Sequence, residues 1–141
     1  MRKSYLIACI LALILAVGLG ACIPPPAEEK IPSIADATPI ELDKIKPEFD
    51  LDRDAARAKW EGKLVSVTGI VEGTSEQWKV ATIVSPEAVE GEEWSSAHAR
   101  IPSMEALRAL QKGQHITVIG TFHEYMIAAQ RVVVIDCWVI E

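Results

Sequence analysis

Two ten-residue stretches, GKLVSVTGIV from Gly62 to Val71 and GQHITVIGTF from Gly113 to Phe122, align without a gap. Both read Gly-x-x-apolar-x-Val-x-Gly-x-apolar. Alternation at period two assigns each to a strand with one buried face. Val65, Val67 and Val71 face inward on the first strand, and Ile116, Val118 and Phe122 on the second. Gly69 and Gly120 fall in the same inward phase. A strand that curls around a small closed sheet needs a residue without Cβ where it bends. Two strands with the same kink at the same place suit the first and fourth strands of a barrel.

The elements around them fit that reading. Asp52 can cap a helix running to Trp60, with Asp54 in its first turn and Gly62 beyond its end. Ala56 and Trp60 share one face of it. Strands are expected over Lys63–Glu72, Trp78–Ser85, Ala97–Ile101, His115–Phe122 and Arg131–Ile140. Pro86 to Ser96 reads as an acidic loop carrying Glu87, Glu90, Glu92 and Glu93. Ser103 caps a helix over Met104–Lys112, stopped by Gly113, with Met104, Leu107 and Leu110 as its core stripe. Trp60 and Trp138 are assigned to the core and the closing strand. Three strands, a helix and two strands, with a short helix in front, is the order of a five-stranded OB-fold barrel, mainly β.

The segments DAARAKWEGKLVSVTGIV, ALRALQKGQHITVIGTF and VVVIDCWVI are similar to small OB-fold domains of the tRNA-anticodon-binding-like type. The resemblance spans Asp50 to Glu141 and rests on core and turn residues, so it implies a fold and no catalysis. Members often carry further cysteines in the third strand and after the fourth-strand glycine. This chain has Ala99-Arg100-Ile101 and Thr121-Phe122 there, so no disulfide or metal role carries over.

The front of the chain has a separate logic. Arg2 and Lys3 precede the apolar run Leu6–Val17, and Gly18, Gly20 and Ala21 are small, as at a signal-peptidase site. Leu19-Gly20-Ala21-Cys22 resembles the bacterial lipobox. That resemblance implies diacylglycerol on the Cys22 thiol, cleavage before Cys22 and acylation of the new amine. Two or more buried acyl chains make such an anchor stable. Ile23 in place of Asp points to the outer membrane in a Gram-negative cell. The alternative is an uncleaved anchor from Tyr5 to Ile23; both place the rest of the chain outside the cytoplasm.

Three segments are therefore expected: a signal peptide over 1–21, a lipidated Pro-rich tether over 22–49 and an OB-fold domain over 50–141. Pro24, Pro25, Pro26, Pro32, Pro39 and Pro47 bar regular helix and central strand from the tether. Its later part, SIADATPIELDKI, has enough apolar residues to lie against the domain. Cys9 leaves with the signal and Cys22 is lipidated, so Cys137 has no disulfide partner and reads as a buried small hydrophobe.

Charge narrows the function classes. Loss of Arg2 and Lys3 with the signal takes the net from −6 to −8. An acidic domain outside the cytoplasm argues against nucleic acid as the partner. His115 and His123, eight steps apart on one strand, stand roughly 26 Å apart and cannot share a zinc ion. His98 with Glu92 or Glu93 follows no ligand spacing, and the acidic loop lacks the alternating pattern of a calcium site. Ser95, Ser96 and His98 are framed by no nucleophile motif, and no Gly-rich phosphate loop occurs. The expectation is a protein that is not an enzyme, needs no cofactor and binds an envelope protein, peptide or glycan. The candidate binding face comprises Trp78, Lys79, Trp94, Arg100 and Tyr125, with Met126 beside them. The alternative is a nucleic-acid-binding OB domain, with Trp78 stacking and Arg100 pairing phosphate.

Overall fold

The computed structural model describes residues 30–88 and 95–140. The signal, the lipobox with Cys22, and Trp94 lie outside the described residues. The repeated strands pair with each other. Strand β2 (Leu64–Ser75) runs antiparallel to β5 (His115–Met126), from Leu64 opposite Thr121 to Ile70 opposite His115. The pairing is centred on Val67 opposite Val118, which are equivalent positions of the two stretches. Gly69 therefore faces Ile116, and Gly120 faces Val65.

At each glycine the strand meets a further neighbour. From Ile70 onward β2 pairs with β3 (Val80–Val84), and around Gly120 the register between β5 and β6 (Arg131–Ile140) shifts. A Cβ on Gly69 would collide with the Val84 carbonyl oxygen and stand 2.6 Å from Ile83 Cγ2. One on Gly120 would lie 2.7 Å from Cys137 Sγ and from the Ile135 carbonyl oxygen. The glycines thus serve the close approach of the next strand at each bend. The inward set is as expected: Val65, Val67, Val71, Ile116, Val118 and Phe122 are all buried.

Strand β4 (Ser96–Arg100) continues the sheet, antiparallel to β3 and parallel to β6. With β5 against β2 the five strands close into an OB-type barrel. The helix between the third and fourth barrel strands is α3 (Met104–Ala109), with Ser103 accepting a hydrogen bond from the Ala106 N–H. It is shorter than expected. Leu110 turns extended, and the Gly113 N–H donates to the Val71 carbonyl, pulling the chain toward β2. Leu107 is buried, and Met104 and Leu110 pack partly against the core.

The expected domain boundary at Asp50 falls inside the compact unit, which begins at Ile31. Residues 38–40 form a short strand, β1 (Thr38–Ile40), parallel to β2 opposite Val65–Val67. Helix α1 (Ile45–Leu51) follows and precedes α2 (Arg53–Trp60), whose N-cap Asp52 accepts from the Ala55 N–H at 3.0 Å. Ile40, Leu42, Ile45 and Phe49 are buried in the same core as the barrel residues. Prolines interrupt this stretch without freeing it, because its apolar residues are worth more against the barrel than in water. Phe49 and Trp60 lie against Phe122, with ring centroids 6.3 and 6.2 Å away, and close the barrel end opposite α3.

Trp60 is in the core and Trp138 on the closing strand, as expected. Trp138 lies beside Ile119, half-buried and outside the core. Asp136, with φ +53°, occupies a bulge that shifts the strand's phase. Cys137 takes the inward place instead.

Candidate functional site

The hairpin between β2 and β3 turns through Glu76–Lys79. Lys79 has φ +54°, and its N–H donates to the Glu76 carbonyl at 3.2 Å. This turn shortens the expected second strand, which begins at Val80 rather than Trp78. Two tertiary contacts hold the tip. The Lys79 carbonyl accepts from the Ile101 N–H at 2.8 Å. The Arg108 guanidinium on α3 donates to Glu76 Oε2 through Nη2 at 2.9 Å and Nε at 3.2 Å. That pairing holds the Glu76 carboxyl below the usual carboxylate range.

On this pinned tip Trp78 is 67% exposed. It overhangs a cleft of about 410 Å³ whose walls include Ser75, Val80, Thr82 and His98. The inward phase of β3 and β4 is filled by Ala81, Ile83, Ala97 and Ala99, so Val80, Thr82, His98 and Arg100 point outward. Arg100 lies directly opposite Val80, and His98 opposite Thr82, with Nε2 3.3 Å from the Thr82 hydroxyl. Partial burial lowers the His98 pKa, Arg131 nearby lowers it further, and Glu72 opposes them. Burial and Arg131 thus favour the neutral imidazole of His98. The cleft joins one exposed indole, a histidine and a hydroxyl, and its wall residue Val80 adjoins Lys79 in the chain and Arg100 across the β3–β4 pair. Such a surface can stack a flat or apolar group and hydrogen-bond its polar rim.

The expected face is only partly assembled. Trp78, Lys79 and Arg100 come together. Tyr125 does not join them: it is buried, its ring stands 4.7 Å from Phe49, and its hydroxyl is 3.2 Å from Ser95 Oγ. Regular alternation from Phe122 would leave Tyr125 outward; the bulge at His123 reverses the phase of β5 and turns Tyr125 into the core. Met126 is 43% exposed but pairs with Arg131, which lies opposite Ser96 at the far end of β4, roughly 13 Å from Arg100. His98 and Thr82 were absent from the expected set. The alternation of small alanines in β4 was the available signal, since it puts His98 in the outward phase with Arg100.

Among the described residues no three His, Cys, Asp or Glu side chains cluster as metal ligands. Cys137 is buried and unpaired; its Sγ donates to the Val134 carbonyl, and its thiol is pushed up to about 12, by burial first and by Asp136 second. Among the described residues no helix is long and apolar enough to cross a membrane.

A family model described as tRNA_anti-like matches residues 1–138. The chain belongs to the tRNA_anti-like family. A solved structure resembles this tRNA_anti-like chain at a TM-score of 0.58 and 16% identity, covering 79% of this chain and 100% of its own. It is the 2.46 Å crystal structure of a Klebsiella pneumoniae protein provisionally named a nucleic acid-binding lipoprotein. At that identity the likeness supports the shared barrel. No curated protein matches the tRNA_anti-like chain.

Proposed function

We propose that this chain is a lipid-anchored protein of the cell envelope, and that its OB barrel is a non-catalytic binding module. The observation that carries the binding role is Trp78. A large aromatic, 67% exposed on a hairpin tied down from two sides, is a preorganised anchor for a partner. The partner class is an envelope protein, peptide or glycan engaging the cleft beside Trp78. The anchoring role draws on the lipobox-like Leu19–Cys22 and on the name of the Klebsiella protein. With the compact unit beginning at Ile31, only nine steps follow Cys22, a reach of roughly 30 Å when extended. The module would then work close to the lipid surface.

A second reading, single-stranded nucleic acid on the same face, is favoured by the Klebsiella protein's name and by Lys79 and Arg100 beside Trp78. The net charge of −6 weighs against it. Two measurements decide. Mass spectrometry of the mature protein should find an acylated N-terminal Cys22; an intact Met1 in a soluble protein overturns the anchor. Tryptophan fluorescence should be titrated with soluble peptidoglycan fragments and with oligothymidylate. Quenching by oligothymidylate whose affinity falls steeply with salt selects nucleic acid.

A further inference from the structure

A second cavity, of about 290 Å³, shares no lining residue with the Trp78 cleft. It lies between α2 and the end of β5. Arg53 and Arg57, four residues apart on α2, share a face, and Glu61, the residue capping the end of α2, lines the same cavity. From β5 come His123 and Glu124. The β5–β6 register shifts between Phe122 and Glu124, leaving His123 as the extra residue of a bulge. Consecutive residues of a regular strand point to opposite faces; here both His123 and Glu124 line the cavity. Phe49, Phe122 and Tyr125 add aromatic surface to its lining.

The charges in this cavity are unmatched. Nearby, Lys59 pairs with Glu48 at 2.7 Å and Lys46 with Asp50 at 2.9 Å. Arg53, Arg57, Glu61 and Glu124 are exposed to the cavity, and among the described residues none of them forms an ion pair or a side-chain hydrogen bond. Two cations and two carboxylates therefore address one space without neutralising each other. A doubly charged anion would meet both carboxylates; a neutral molecule would leave all four charges unanswered. The size lies just under the roughly 300–1,000 Å³ of pockets that bury drug-sized ligands.

The geometry points to a site for a small zwitterion, an amino acid or dipeptide, with its carboxylate on Arg53 and Arg57 and its ammonium facing Glu61 and Glu124. Two guanidinium forks one helical turn apart suit a planar carboxylate. The aromatic lining receives the apolar side chain. This inference rests neither on Cys22 nor on the Trp78 cleft.

The test is calorimetric titration of the full chain in detergent micelles. The ligands are Leu-Leu with free termini, its N-acetyl form, its C-terminal amide, and inorganic phosphate. Free Leu-Leu should bind, and each blocked form should bind about tenfold or more weakly, the loss expected for one charge-assisted contact. Arg57→Gln should make free and amidated peptides equivalent, and Glu124→Gln should do so for free and acetylated peptides, with far-UV circular dichroism unchanged. Trp78→Ala should leave Leu-Leu binding intact, which separates this site from the proposed module face. Equal affinity for all three peptides, binding of none, or preference for phosphate overturns the inference.

Discussion

Phe49 packs against Tyr125, ring centroids 4.7 Å apart and tilted by 36°, so a residue from the proline-punctuated front of the chain completes the aromatic end of the barrel. Residues 31–49 are consequently part of the fold. Phe49→Ala should destabilise the protein by about 3–5 kcal/mol, the range for a buried phenylalanine truncated to alanine. Urea denaturation followed by circular dichroism measures it. A version starting at Asp50 should lose cooperative unfolding, since Ile40, Leu42, Ile45 and Phe49 leave the core together. A loss for Phe49→Ala below about 1 kcal/mol would place the ring outside the stabilising core.

The two glycine bends should tolerate no side chain. Gly120→Ala would place a methyl 2.7 Å from Cys137 Sγ and from the Ile135 carbonyl oxygen, one of them rigid backbone. Overpacking of this kind costs about 1–3 kcal/mol, and more where backbone must move. Gly69→Ala should behave likewise. Gly73→Ala serves as the control, because an added Cβ there meets nothing within 4 Å.

Trp78→Ala should separate binding from stability. Its side chain is largely in water, so the unfolding free energy should change by no more than about 0.5 kcal/mol. Binding at the cleft should weaken by about 1–3 kcal/mol if the partner stacks on the indole. Fluorescence titration of the variant against wild type reads both the affinity and the lost signal.

Cys137 should be chemically silent until the barrel opens. Burial raises its thiol to about 12, above the ordinary value of 9.0, so the folded state favours the protonated form. That contribution to stability is complete below about pH 9 and is lost as pH rises through about 12. Alkylation by iodoacetamide at pH 8 should be slow in the native protein and fast in urea. Above pH 9, wild type should lose stability more steeply than Cys137→Ala.

Much of the barrel was legible in the residues. The paired Val-x-Val-x-Gly strands, the Asp52 and Ser103 caps, and the helix before the fourth barrel strand all follow from local periodicity and capping. Those signals are carried by neighbours in the chain. The candidate faces were less so. Trp78, Lys79 and Arg100 meet because β3 and β4 pair in one register, whereas the alternation of β5, continued past Phe122, sends Tyr125 outward, and only the bulge at His123 turns it into the core.

The sequence by itself determined the strand phases and the kink positions. Each depends on spacing along the chain or on a short local pattern. Only the tertiary structure decided that residues 31–49 join the core, that Trp138 is displaced by a bulge, and that unpaired arginines and glutamates share a cavity. Those outcomes arise where segments distant in sequence compete to bury the same apolar surface, and no local pattern records which one wins.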